Sequence, residues 1–348
     1  METFRLMPNV AVIGAGPSGL TAAKHSIQEG YNVTVFEQES DLGGNWLFSP
    51  DPSAQSGLYE GMITNMPKQL MEYEDCPYPD DVPSFMNADH VLIYLRKYAE
   101  EIRIEFGTKV VKVEENKESK KWKLKIWKRE KLQRTADIHS VAENLGNTII
   151  FDALSNDTYL VSISSGPLKP FPKPIIQILT ETPKGQTTQF FDIVFVCNGH
   201  CRDSTNCIDF STYQGRVIHS HDYRRASDYK GRVVAVIGTG LSGIDIALQL
   251  AEVCKRVHLI GSKKWKDLPD SVEFYEGHVE KCKYHSLTLS SGQEVSGFDT
   301  VIDCTGYRFN FPFLDEDLVQ ITHEGKVVNP VWRLVAHMFH PTDFFFIG

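Results

Sequence analysis

The same glycine turn occurs twice in this sequence, and this repeat restricts the fold more than any other feature. "VAVIGAGPSGLTAA" stands at 10–23 and "VVAVIGTGLSGIDIA" at 233–247. In each stretch an apolar run typical of a buried strand precedes the turn, and a helical period follows it. The glycines at G-x-G-x-x-G spacing are Gly14, Gly16 and Gly19 in the first turn and Gly238, Gly240 and Gly243 in the second. Such glycines permit a tight turn and close approach of the backbone to a pyrophosphate, which predicts two dinucleotide-binding units.

The first unit has the tight strand–helix–strand spacing of a doubly wound sheet. A strand over 10–14 leads through the turn to a helix around 18–29, and "NVTVFE" forms the next strand. This strand ends in Glu37, whose carboxylate would accept hydrogen bonds from ribose hydroxyls and repel a 2′-phosphate. The first dinucleotide is therefore predicted to be FAD or NAD. Besides the glycines, its expected contacts are Pro17, Ser18, Glu37 and Gln38.

The second unit differs from the first at the end of its second strand. A strand over 232–237 and a helix over 243–253 lead to "RVHLIG", and no acid stands where Glu37 would fall. Ser262, Lys263 and Lys264 follow instead. A hydroxyl and two ammonium groups suit a 2′-phosphate, which favours NADPH, although a lysine-rich surface loop is the alternative. Together the two units predict a flavoprotein that transfers a hydride from NADPH to FAD.

Two similar strand ends enclose the second unit. "FFDIVFVCNGH" (190–200) precedes it and "GFDTVIDCTGY" (297–307) follows it, and each is an apolar strand that ends in a small-residue turn. These ends look like two crossings between paired domains. The predicted fold class is α/β, with two Rossmann-like dinucleotide-binding domains and the NADPH domain inserted in the FAD domain. The expected domains are an FAD domain over 1–207, an NADPH domain over 208–305 and a return to the FAD domain over 306–348.

The remaining segments give weaker predictions. A stretch rich in Pro, Gly, Asp and Asn (41–83) is expected to be irregular structure over a ligand. "NADHVLIYLRKYAEEI" predicts a helix with Asn87 as its N-cap, and alternation over 108–132 predicts a β-hairpin. Residues 133–188 lack a sustained period and predict a loop or an insertion. The insertion in the FAD domain is expected over 128–188. "DFFFIG" predicts a last strand that runs into Gly348.

Composition excludes several classes of protein. The formal net charge of −9 argues against nucleic acid as a partner, and no run of about eighteen apolar residues predicts a membrane span. The N-terminus predicts no signal peptide, so a cytoplasmic location is the default expectation. Seven cysteines form no CxxC pair and are expected to be buried, reduced thiols. A disulfide reductase, which needs a redox cysteine pair after its first dinucleotide turn, is thereby disfavoured.

Four short motifs carry a resemblance to a known family. "YQGRVIHSHDYR" (213–224) resembles the FxGxxxHxxx(Y/F) fingerprint of flavin-dependent monooxygenases, with Tyr213 in place of the phenylalanine and Gly215, His219 and Tyr223 in register. "DLGGNW", "TNMPKQLMEYEDCPYP" and "DCTGY" match its GG-x-W, TNxPKxxMxFxDxP and (D/A)-x-TGY segments in order and spacing. The chain resembles a flavin-containing monooxygenase of the N- and S-oxygenating type over about 1–125 and 190–348.

The resemblance implies a mechanism and further site residues. In the family, NADPH reduces FAD, O₂ adds to the flavin C4a, and the hydroperoxide transfers oxygen to a soft nucleophile such as an amine nitrogen or a sulfide. Asn65 matches an asparagine that contacts flavin and nicotinamide there, which makes it the candidate catalytic residue, with Thr64 beside it. His219 is treated as a marker without a role in proton transfer. The other implied contacts are Gly44, Asn45 and Trp46 with FAD, and Ser242 and Asp245 with NADP.

Two departures from the family pattern leave other functions open. Residues 128–188 are longer than the family's usual hairpin, and family members continue past "FFFIG" with a segment that completes the FAD domain. A C-terminally shortened, non-catalytic relative that binds nucleotide is therefore one alternative. Baeyer–Villiger oxygenation of a ketone with the same cofactors is another.

Overall fold

A computed structural model of the chain describes residues 7–115, 147–154, 158–165, 176–205 and 207–348. The chain divides into two compact units, one over Asn116–Ile175 and the other over Met1–Glu115 with Ile176–Gly348. The described part of the smaller unit is an antiparallel pair of strands, Asn147–Leu154 and Thr158–Ser165. All other described elements belong to the larger unit.

The elements are numbered in chain order. The α-helices of the described residues are α1 (Pro17–Gln28), α2 (Ala88–Tyr98) and α3 (Leu241–Ala251). The strands are β1 (Asn9–Ile13), β2 (Asn32–Phe36), β3 (Ile104–Glu105), β4 (Lys109–Glu115), β5 (Asn147–Leu154), β6 (Thr158–Ser165), β7 (Ile176–Thr182), β8 (Gly185–Phe191), β9 (Ile193–Val196), β10 (Arg216–His219), β11 (Val233–Ile237), β12 (Arg256–Gly261), β13 (Val272–Glu276), β14 (Val279–Lys283), β15 (Ser286–Leu289), β16 (Glu294–Ser296), β17 (Thr300–Asp303), β18 (Gln320–Thr322), β19 (Val327–Asn329), β20 (Val331–Trp332), β21 (Ala336–His337) and β22 (Phe344–Phe346).

The first large sheet has the strand order β20-β21-β22-β9-β1-β2-β3. From β22 to β3 the neighbouring strands are parallel, and β1 lies between β2 and β9. Val10, Ala11 and Val12 of β1 are fully buried, because helices and loops cover both faces of a parallel sheet. The strand order reverses between β1 and β9, and the first glycine turn lies at this switch point.

The second large sheet is wholly parallel, with the order β10-β17-β11-β12-β13. Its central strand β11 lies between β12 and β17, just as β1 lies between β2 and β9. The helices α1 and α3 that follow the two central strands bury the same five positions, a spacing that gives each helix one apolar face. These are Gly19, Leu20, Ala22, Ala23 and Ser26 in α1, and Gly243, Ile244, Ile246, Ala247 and Leu250 in α3.

These observations confirm the α/β fold class with two Rossmann-type units. The predicted helices at 18–29 and 243–253 each begin and end one or two residues earlier in the structure. The predicted hairpin over 108–132 is described only as far as β4, whose described partner is β7; residues 116–132 lie outside the described residues.

Of the two interpretations predicted for 133–188, a loop or an insertion, the loop is wrong where the structure describes this range. Four strands, β5 to β8, lie within or begin in this range. Strand β8 is largely exposed and polar, so it lacks the apolar alternation from which strands are predicted. All seven cysteines are free thiols, as expected, but only Cys76 and Cys197 are buried; Cys207 is exposed and the other four are partly buried.

Helix α2 packs its apolar face against the core beside β1. Its Asn87 side chain accepts a hydrogen bond from the His90 amide at 3.1 Å, which confirms the predicted N-cap. Asp89 in its first turn and Arg96 and Lys97 in its last complement the helix dipole.

We expect Asn87→Ala to lower the free energy of unfolding by about 1 kcal/mol, because one helix N–H loses its acceptor. Urea unfolding followed by circular dichroism measures this change. Asn87→Ser is the control, since its hydroxyl can still cap the helix and should retain most of the stability. An equal loss in both variants would show that the cap does not stabilise α2.

Candidate functional site

The outer glycines of both turns occupy positions that no other residue can fill. Gly14 and Gly238 have φ of +102° and +112°, and a Cβ on either would lie 2.6 Å from a carbonyl oxygen of the crossing strand end, that of Cys197 or Cys304. A Cβ on Gly19 or Gly243 would lie 1.9 Å from the carbonyl oxygen of the first glycine of its own turn. The similar sequences "CNGH" and "DCTGY" thus occupy equivalent positions, since each strand end packs directly on a glycine turn.

The middle glycines are different, because the surrounding protein leaves space beside them. A Cβ on Gly240 would meet nothing within 4 Å, and one on Gly16 would meet only backbone atoms of Gly44, the nearest at 3.6 Å. The helices begin one residue later, at Pro17 and Leu241, and the first amides of a helix have no partner within it. Open space beside these amides fits the pyrophosphate of a dinucleotide.

A cavity of about 790 Å³ opens beside the first turn. Besides the turn, its walls come from the end of β2, the segments 44–49 and 54–56, and residues at 197–203 and 308–313. The structure brings together almost all of the residues predicted to contact FAD, while Gly19 is buried beneath the turn. Those lining the cavity are Gly14, Gly16, Pro17, Ser18, Glu37, Gln38, Gly44, Asn45 and Trp46.

Glu37 lies in the wall of this cavity and is only 7% exposed. Its carboxylate accepts hydrogen bonds from the Ala15 amide at 2.8 Å and from the Glu39 amide at 2.9 Å. It therefore ties the glycine turn to the end of β2. Burial raises the pKa of this carboxyl above its ordinary value of 4.5, although the two amides act in the opposite direction.

The segment Gly44–Trp46 is a short 3₁₀ helix that approaches the first turn closely. The Gly43 amide donates to the Ala15 carbonyl at 3.0 Å, and a Cβ on Gly44 would lie 3.1 Å from the Gly16 Cα. Gly43 and Gly44 both have positive φ, which permits this approach. The GG-x-W motif thus forms a wall of the cavity.

Beside the second turn, the loop after β12 contacts Thr239. The Lys263 amide donates to the Thr239 hydroxyl at 3.3 Å, and the Trp265 indole donates to the Thr239 carbonyl at 3.2 Å. Ser262, Lys263 and Lys264 are exposed there. The Ser262 hydroxyl and the ammonium groups of Lys263 and Lys264 therefore lie on the loop that contacts the second turn.

Asp245, in helix α3 after the second turn, forms a hydrogen bond with Tyr59. The Tyr59 hydroxyl donates to the Asp245 carboxylate. Burial is the larger cause, and this hydrogen bond the second, of a raised pKa of Tyr59, so the hydroxyl stays protonated and can donate. Ser242 lies in the first turn of α3 and is half-buried.

Thr64 and Asn65 do not line the 790 Å³ cavity. Thr64 is buried; its amide donates to the Met86 carbonyl at 2.8 Å and its hydroxyl accepts from the Met86 amide at 2.9 Å. Asn65 is exposed. Their roles toward flavin and nicotinamide stay predictions.

The fingerprint residues form a packed structural segment. The Tyr213 hydroxyl donates to the Phe298 carbonyl at 3.2 Å, and its ring lies where a Cβ on Gly215 would stand. The His219 ring accepts from the His221 amide at 3.1 Å, and burial lowers the pKa of His219, which favours the neutral ring. These contacts give His219 a structural role and fit its interpretation as a marker without a role in proton transfer.

Sequence reasoning missed Arg224 and Tyr59, which connect the two turns through side-chain and backbone contacts. Neither belongs to a glycine motif, and their partners lie far away along the chain. The one local signal for Arg224 is its place directly after the fingerprint.

Comparison with known proteins identifies the family. The model of the family described as flavin-binding monooxygenase-like matches residues 7–153 and 174–266, which is more than half of the chain. The chain belongs to the flavin-binding monooxygenase-like family. This match confirms the resemblance inferred from the motifs.

Individual relatives agree with this membership. The Arabidopsis thaliana flavin-containing monooxygenases FMO GS-OX5 and FMO GS-OX-like 7 are each 30% identical to the chain over 96% of its length. The chain spans 66% of the length of each of these two relatives. Among solved structures, S-allyl-L-cysteine S-oxygenase from Allium sativum matches with a TM-score of 0.73 and 22% identity, covering 98% of this chain and 72% of that one. The likeness at this identity shows a shared fold. In the described part of the present chain, no helix is long and apolar enough to cross a membrane.

Glu37→Gln should change how stability depends on pH. Because the pKa of Glu37 is raised on folding, the folded protein binds more protons than the unfolded chain between pH 4.5 and the raised value. Glu37 therefore makes the wild-type protein lose stability as pH rises through this window, and the glutamine variant lacks this contribution. Urea unfolding at a series of pH values measures the difference between the two proteins. A difference that stays constant with pH would contradict this behaviour.

Proposed function

We propose that the chain is an NADPH- and O₂-dependent flavin monooxygenase that oxygenates soft heteroatoms of small molecules. One observation carries the proposal: two turns of the same geometry differ at the ends of their second strands. A buried carboxylate, Glu37, lies at the first, and two exposed lysines, Lys263 and Lys264, lie at the second. The difference supports a dinucleotide with free ribose hydroxyls, here proposed to be FAD, at the first turn and NADPH at the second.

The first cavity supports FAD binding through shape and polarity. The space beside Gly16 and the first amides of α1 would hold the pyrophosphate, and Glu37 would accept the ribose hydroxyls. Asn45 and Trp46 would bound the flavin side of the cavity. Bound FAD would supply hydride acceptance from NADPH and the activation of O₂.

The second turn would place NADPH against the start of α3. Gly240 would let the backbone approach the pyrophosphate, with Ser242 and Asp245 nearby. Ser262, Lys263 and Lys264 would bind the 2′-phosphate through a hydroxyl and two ammonium groups. Thr64 and Asn65 are proposed to lie where the two cofactors meet, with Asn65 as the catalytic residue.

The proposed domain division follows the two large sheets. Residues 1–207 and 306–348 would form the FAD domain, and 208–305 the NADPH domain. Strands β10 to β13 and β17 form one sheet, whereas β9 and β22 belong to the other, which supports an insertion between them. A cytoplasmic location stays a prediction of the sequence.

The proposed substrate is a small molecule with a thioether sulfur or an amine nitrogen, and O₂ is the co-substrate. The name of the Allium sativum relative supports S-oxygenation as the first activity to test. An apolar thioether such as methyl p-tolyl sulfide is a suitable probe, because it presents a soft nucleophile without a charge.

We expect the purified protein to bind FAD and to convert methyl p-tolyl sulfide into its sulfoxide with consumption of NADPH and O₂. Gly16→Val should lose FAD, because its side chain would occupy the space beside the first turn. Gly240→Val is the matched variant: it should retain FAD but lose NADPH-driven oxidation.

Absorbance spectra and chromatographic product analysis check these outcomes. Cyclohexanone is tested in parallel. Lactone formation without sulfoxide would replace the proposal with Baeyer–Villiger chemistry, and protein that takes up no FAD would favour a non-catalytic relative.

Replacing Lys263 and Lys264 together by alanine should weaken NADPH binding at least about ten-fold, since charge-assisted hydrogen bonds to the 2′-phosphate are lost. NADH, which lacks this phosphate, should bind as before. Lys266→Ala is the control, because it removes an exposed lysine two residues beyond this pair. Titration of both nucleotides measures the effect, and equal weakening of NADPH and NADH would refute the assignment.

A further inference from the structure

Arg224 is a buried cation whose hydrogen bonds all go to backbone carbonyls. The residue is 6% exposed, and burial lowers the pKa of its guanidinium, which nevertheless stays charged. The acceptors are Ser49 at 2.8 Å, Asp51 and Ser56 at 3.1 Å each, His221 at 2.5 Å and Tyr223 at 3.0 Å. A planar fork of five donors suits such a set, whereas lysine offers three donors from one point.

On one side, Arg224 fixes the loop over 49–56, which forms part of the wall of the first cavity. Ser49 and Ser56 line this cavity. The Ser56 hydroxyl donates to the Asn45 carbonyl at 2.9 Å, and Asn45 belongs to the 3₁₀ helix that approaches Gly16. A continuous series of contacts therefore leads from the guanidinium to the first glycine turn.

On the other side, the same residue is joined to the second turn. The Arg224 carbonyl accepts from the Glu60 amide at 2.9 Å. The neighbouring Tyr223 ring packs edge-on against Tyr59 with centroids 5.3 Å apart, and Tyr59 donates to Asp245, two residues after Gly243. This second series of contacts ends beside the turn proposed for NADPH.

We propose that Arg224 is a positioning residue that couples the two dinucleotide sites, so that FAD in the first cavity strengthens NADPH binding at the second turn. The inference rests on the proposed function. FAD would order the loop over 49–56, and Arg224 would transmit this order to Tyr223 and Tyr59. NADPH binding then has less conformational entropy to lose, and the coupling is reciprocal.

The test measures the dissociation constant of NADP⁺ by calorimetry, with and without FAD, for the wild-type protein, Arg224→Gln and Arg224→Lys. We expect FAD to tighten NADP⁺ binding about ten-fold in the wild-type protein, within the usual range of such couplings. Arg224→Gln should bring this ratio close to one. Arg224→Lys keeps the charge and the aliphatic stem, so it reports on the five-donor fork if the glutamine variant does not fold; its ratio should also fall.

Arg225→Gln is the matched control. Arg225 is half-exposed and forms a surface ion pair with Glu60 at 2.8 Å, so its removal should leave the ratio unchanged. Hydrogen exchange gives a second readout: amides over 49–56 should exchange faster in Arg224→Gln, while those of α2 keep the wild-type rate.

A wild-type ratio near one, or the same ratio in the wild-type protein and both Arg224 variants, would overturn the coupling while both cofactors still bind. A wild-type protein that binds neither cofactor would instead overturn the proposed function itself. The two failures are therefore distinguishable.

Discussion

The contact between a carbonyl oxygen and the first glycine of each turn is the constraint on which the rest of the structure depends. The carbonyl oxygens of Cys197 and Cys304 lie 2.6 Å from where a Cβ of Gly14 or Gly238 would stand. Only glycine permits this approach, which lets the crossing strand pair with the central strand up to the turn. Each sheet reverses its strand order at its turn, and the helix that follows begins there with amides that have no partner within the helix.

The same local geometry leads to different electrostatic surroundings, because the ends of the second strands differ. At the first turn, a carboxylate is buried and bound to two backbone amides; at the second, two ammonium groups lie exposed on the loop that contacts Thr239. A dinucleotide with free ribose hydroxyls suits the former surroundings, and a 2′-phosphate suits the latter. Arg224 and Tyr59 belong to a series of contacts that joins the surroundings of the two turns.

Prediction from the sequence succeeded where the local pattern and the tertiary environment agree. The two βαβ units and the helix capped by Asn87 were predicted from short motifs. Glu37 and Trp46 lie in the wall of one cavity, while their contact with FAD stays a prediction. For 133–188 the alternatives were a loop or an insertion, and strands β5 to β8 contradict the loop; β8, for example, is an exposed strand whose residues do not alternate between apolar and polar. Asn65 was assigned by resemblance, and the structure leaves it exposed and outside the cavity wall, so its role stays a prediction.

By itself, the sequence determined the two glycine turns, their strand–helix setting and the different residues at the two strand ends, because each depends on residues close together in the chain. Only the tertiary structure decided what lies between the turns. The carbonyls that Arg224 binds belong to residues more than 160 positions earlier as well as to its own segment. Tyr59 meets Asp245 across 186 positions. Such contacts have no local signature, since they form only when the folded chain brings distant loops together.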